Sequence, residues 1–251
     1  MKMTMLSEYS MMSTTSTTLV FGLIFLFLAR QNRKLYMTLW GFCWIVYSVM
    51  FFLDLLNLSG IYSNHYYIAE RQTLSLLGAL LFLQGTHHFF QLRLPRYLYT
   101  MMPVFLFTIG LSLFSQSFYE FIVIPNIMFS TLLLIWAGCM FISYTWTQNL
   151  PEKLIASFLI IVWAIFSNHF GFTLNYIGIA TFNYFTGLFT VNLLILFLMI
   201  IHFKKTRFLF VKREDRYRLL VENSSDAMFL YSYPKRSFRY ISPSVQTMLG
   251  F

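Results

Sequence analysis

The sequence predicts an all-α polytopic membrane bundle of seven transmembrane helices, N-terminus outside and C-terminus cytoplasmic, followed by a short α+β tail. Three observations carry that prediction. Of 251 residues, 58% are hydrophobic and only 11% charged, with 30 Phe and 16 Tyr, and mean hydropathy is +0.64. A soluble domain has roughly 25% charged residues and could not cover so many aromatics with one core. Seven apolar runs approach the ~20 residues a helix needs to cross hydrocarbon. Lys and Arg then fall on alternate sides of those runs, as the positive-inside rule requires.

In order, the runs are Met11 to Ala29, Leu35 to Leu56, Thr73 to Phe90, Tyr97 to Ser115, Phe121 to Trp146, Leu154 to Tyr176 and Phe182 to Phe203. The first is preceded by no basic n-region or small-residue cleavage site, so it reads as a retained span and not as a secretory signal. Ser75, Gln84, Thr86, His87 and His88 interrupt the third, and Pro125 stands near the start of the fifth, where a membrane helix tolerates a kink. Thirteen basic residues follow the odd-numbered runs: Arg30, Arg33, Lys34, Arg93, Arg96, Lys153 and the seven between Lys204 and Arg218. Only Lys2 and Arg71 lie on the other side. The formal charge of +9 is therefore read as topology and contact with anionic membrane lipids, with no nucleic acid as partner. Cys43 and Cys139 sit inside apolar runs and suit packing better than a disulfide or metal site.

After residues 1–203 the composition changes to "KKTRFLFVKREDRYR", residues 204–218, a basic stretch without Pro or Gly that can continue the last helix as a connector. Phe203, Phe210 and Tyr217 recur every seven residues, a weak coiled-coil pattern that would favour a homodimer. Residues 219–251 follow. "AMFLYSY" and "FRYIS" flank the polar turn "PKRS" and predict a hairpin, strands Ala227 to Tyr233 and Phe238 to Ile241. Ser242 can cap a helix with Pro243 in its first turn.

This order, "LLVENSSD", two strands around a short turn, then "SPSVQTMLGF", resembles the N-terminal part of a PAS domain, the small sensory fold of bacterial signalling proteins. The match covers about thirty-five residues and stops with the chain, so the tail is expected to be a truncated, PAS-like α+β piece. A membrane bundle, helical connector and PAS domain together are similar to the sensor modules of receptor histidine kinases and membrane-bound diguanylate cyclases. The resemblance implies the input portion of a membrane signal-transduction receptor. A histidine kinase in a two-component system is the first expectation for its output, a diguanylate cyclase or phosphodiesterase the second, and a small transporter or channel the alternative of another class.

Candidate binding residues are the polar groups close to the outer ends of the runs: Asp54, Glu70, Arg71, Asn168, His169, Asn175 and Asn183. Inside or near lipid each must face protein, a cavity or the interface. They could line an outward pocket for a small extracellular ligand, or simply be hydrated at head-group level. His87 and His88 point about 100° apart on a helix and cannot easily share a metal, so they read as interfacial, as does His202 beside Lys204. Trp40, Trp44, Trp136, Trp146 and Trp163 fit belts and core packing. No catalytic constellation, metal site or cofactor site is expected in this chain.

Overall fold

The computed structural model describes residues 2–61, 67–93, 119–145, 151–173 and 177–249, except 225, 227 and 235, together with positions 95, 96, 103, 107 and 110. Among the described residues six long helices come first: α1 Lys2–Asn32, α2 Leu35–Leu58, α3 Tyr67–Phe90, α4 Tyr119–Thr145, α5 Pro151–Thr173 and α6 Ile177–Glu222. Strands β1 Phe229–Ser232 and β2 Ser237–Ile241 and the short helix α7 Ser244–Leu249 complete the order. The chain divides into two compact units, Met1–Leu198 and Met199–Phe251, and the division falls within α6.

In the first unit α1 packs on α2, α2 on α3, α3 on α4 and α4 on α5. Small residues let these helices approach closely, as in bundles where lipid supplies no hydrophobic drive between helices. A Cβ on Gly22 would lie 3.1 Å from the Gly41 carbonyl, and one on Gly41 would lie 3.1 Å from that of Gly22, so α1 and α2 cross backbone to backbone. The Ser48 hydroxyl donates across that interface to the Thr15 carbonyl at 2.8 Å. Four threonines near the start of α1 are satisfied within their own helix, Thr14, Thr15, Thr17 and Thr18 each donating to the carbonyl four residues back. Between α4 and α5, Ser157 donates to the Gly138 carbonyl at 2.7 Å.

The α2–α3 seam has a seven-residue period. Tyr47 of α2 covers Gly78 of α3, where an added Cβ would sit 2.7 Å from the ring, and Trp40 covers Gly85, at 2.5 Å. Around them lies an aromatic core. Phe82 is stacked against Trp40 at 6.0 Å and edge-on to Trp44 and Trp163, both at 6.2 Å. Trp163 of α5 also meets Trp44 at 5.4 Å and Tyr47 at 4.6 Å. Phe25 of α1 and Phe141 of α4 close on Trp40.

The seven-span architecture is overturned. Among the described residues three helical segments are long and apolar enough to cross a membrane: Glu8–Asn32, Leu35–Leu58 and Asn126–Ser143. The other runs are accounted for differently. Five polar residues of α3 face protein, Arg71, Gln72, Ser75, Thr86 and His87, all buried. α5 opens on Glu152 and Lys153, and Lys153 is buried as well. The expected last span and connector form one helix, α6, whose buried Val191, Leu194, Ile195 and Leu198 follow a helical stripe. Of the expected fourth run only positions 103, 107 and 110 are among the described residues. An apolar run of span length is also what a helix enclosed by other helices shows, and composition does not separate the two.

In the second unit the tail is a two-stranded antiparallel sheet and a six-residue helix. Phe229 pairs with Ile241 and Leu230 with Tyr240; the register then shifts, Tyr231 pairs with Phe238, and Arg239 is the extra residue of the bulge. Arg236, at φ 46°, closes the turn. Ser242 differs from its expected capping role. Its hydroxyl accepts the Met228 N–H at 2.9 Å and its own N–H donates to the Met228 carbonyl at 2.8 Å, prolonging the hairpin. Since Pro243 has no N–H to continue that pairing, α7 begins after it, at Ser244.

Candidate ligand site at the α2–α3 junction

Asp54 stands seven residues beyond Tyr47 on α2, and Arg71 seven residues before Gly78 on α3. The seam that buries two aromatic rings on two glycines therefore ends on an ion pair. Arg71 Nε donates to Asp54 Oδ1 at 3.0 Å. Tyr67, one helical turn before Arg71 on the same face, donates its hydroxyl to the same oxygen at 2.5 Å. Asp54 is 2% exposed, Arg71 3% and Tyr67 5%, so all three are out of solvent.

Both donors converge on Oδ1, which leaves Asp54 Oδ2 buried with no hydrogen-bond partner. Gln72, next along α3 and also buried, has its Oε1 unpartnered. Further along the seam the Tyr47 hydroxyl donates to the Ser75 carbonyl, at 3.4 Å. Burial first, and the Asp54 carboxylate second, push the Tyr67 phenol far above its ordinary range, so it is a hydrogen-bond donor at any physiological pH. A buried carboxylate is tolerable only with such pairing.

Of the seven sequence candidates, Asp54 and Arg71 are brought together. Glu70 is half-buried at the neighbouring position. The side chains of Asn168, His169 and Asn183, and Asn175 altogether, lie outside the described residues. Tyr67 and Gln72 were missed. The signal for Tyr67 was its position four residues before Arg71, one turn away on the same helix face.

Elsewhere His87, expected at an interface, is buried against Trp136 at 5.9 Å, while His88 is exposed. Burial lowers the His87 pKa, the nearby charge of His88 adds to that, and the Arg93 main chain opposes it. His202, expected at the membrane edge, is 1% exposed beside Phe203. Trp40, Trp44 and Trp163 are fully buried, and their indole N–H groups have no partner among the described residues. Among the described residues no group of three or more His, Cys, Asp or Glu is placed to hold a metal.

No family model matches this chain, and no curated protein or solved structure matches it either. The reading of the site therefore rests on its geometry.

Proposed function

We propose that this chain is the input portion of a bacterial membrane signal-transduction receptor, with the Asp54–Tyr67–Arg71 cluster as its receptive site. The observation that carries the reading is a buried carboxylate with an unused oxygen, at one end of a unit containing three membrane-length helices. Ion pairs that deep in an apolar unit are expensive and mark sites that bind or switch. α6 supports the relay role, running from the apolar unit into a basic stretch and ending six residues short of the hairpin. On the positive-inside rule that basic stretch is cytoplasmic, and the membrane is the plasma membrane. Residues 219–251 are read as the start of a PAS domain, with a histidine kinase as the matching output and self-association through residues 204–218.

Deleting the gene in its own cell tests this. Loss of a receptor changes transcript levels of a defined gene set, or the cyclic dinucleotide pool, and Asp54→Asn in the chromosomal copy reproduces part of that change. A deletion that leaves both untouched overturns the receptor reading.

A further inference from the structure

We infer that the site at Asp54 takes a small cation bearing N–H donors, a compound of the ammonium or primary-amine class. The inference rests on the receptive role proposed for this site and names the chemistry of what it receives. Its ground is the kind of group left over. The buried atom left without a partner in the ion-pair cluster, Asp54 Oδ2, is an acceptor. The donors, Tyr67 hydroxyl and Arg71 Nε, are already engaged on Oδ1. A complement that satisfies an unfilled acceptor in a desolvated place must donate, and a charged donor makes bonds about twice as strong as a neutral one.

Charge points the same way. Met11 of α1 packs with Leu55 and Leu58 of α2, which puts the start of α1 beside the end of α2 and the start of α3. At that end the described titratable side chains include three carboxylates, Glu8, Asp54 and Glu70, and one guanidinium, Arg71. The opposite end of the same helices carries Arg30, Arg33, Lys34 and Arg93. The helices therefore present a cation with a favourable end and an unfavourable one, and the unfilled carboxylate oxygen is at the favourable end. An anionic ligand would meet a surplus of negative charge on the described side chains of that end.

The test uses the whole chain purified in detergent, with the buried tryptophans as the unfolding probe. Thermal midpoints are compared in methylammonium, tetramethylammonium and sodium chlorides at one ionic strength. Methylammonium has three N–H donors, and tetramethylammonium has the same charge and none. Methylammonium is expected to raise the midpoint by at least ~2 °C over the other two, the size of shift that saturating one site produces in a chain of this length. Asp54→Asn should abolish that difference. Tyr67→Phe, which removes one competing donor and keeps the ion pair, should preserve or enlarge it, and serves if the asparagine variant does not fold. Equal midpoints in the three salts, or a methylammonium effect undiminished in Asp54→Asn, overturn the amine assignment. Because no signalling output is read, that failure leaves the receptor reading to the gene-deletion experiment, and failure of the deletion experiment leaves a binding result here standing.

Discussion

At the level of single residues, the Asp54–Arg71 pair is the place where one atom decides most. Replacing Asp54 by Ala leaves a buried guanidinium without its carboxylate and should destabilise the unit by about 3–5 kcal/mol. Asp54→Ala combined with Arg71→Met removes both charges and should recover most of that loss, which denaturation of the two variants in detergent would show as strong coupling. His87 gives a second prediction. Its folded pKa lies below the ordinary imidazole value, so its contribution to stability is complete above pH ~6.5 and is lost as pH falls through the lowered folded pKa. Melts between pH 7.5 and 5, followed by Trp136 emission, should show this acid-side decline, and His87→Gln should flatten it. Both ionisable partners of the pair were visible in the sequence as polar residues at the ends of apolar runs. That they meet was not, because meeting depends on the register of two helices, which single positions do not carry.

Among the elements, α3 shows why reading spans from hydropathy failed. Five of its polar residues are buried, so its composition is too polar for lipid although much of its packing is that of an interior helix. α1, α2 and α4 were legible because much of their apolar surface is exposed: Phe27 is 69% exposed and Leu132 58%. The register of α2 on α3 was also present in the sequence, as Trp40, Tyr47 and Asp54 against Arg71, Gly78 and Gly85, but aromatic residues and glycines are too common in this chain for the spacing to stand out. The end of α3 offers a sharper test. The Leu92 N–H donates to the His87 carbonyl at 2.9 Å and the Gln91 N–H to the His88 carbonyl at 3.2 Å, the double bond pattern of a Schellman cap. Gln91 therefore sits at φ 61°, a left-handed conformation that costs a side-chain-bearing residue roughly 1 kcal/mol. Gln91→Gly should stabilise the protein by about 0.5–1 kcal/mol, measured as a raised midpoint in detergent melts.

For the whole molecule the orientation is the quantity to measure. On the proposed topology, green fluorescent protein fused after Glu222 should fluoresce in the cytoplasm, and alkaline phosphatase inserted between residues 62 and 66 should be active outside. The reverse pattern would place Asp54 and its neighbours on the cytoplasmic side. Where composition predicted seven spans, the described residues are mostly helical with three membrane-length segments, and a two-stranded sheet stands in the tail. What composition could not tell was how many of the greasy helices touch lipid, since neighbouring helices and hydrocarbon are equally apolar. The seven-residue seam between α2 and α3 also limits how this protein can move. Sliding one helix past the other by a turn would drive Trp40 onto Leu81 or Phe89 and Tyr47 onto Leu74 or Phe82 in place of their glycines, and would part Asp54 from Arg71 in the same stroke. The pair is indexed like a toothed rack, with rings for teeth and a charge at the end of the row. Piston travel is blocked at this joint, and the motions left to it are tilting about the glycines and release of the charged end.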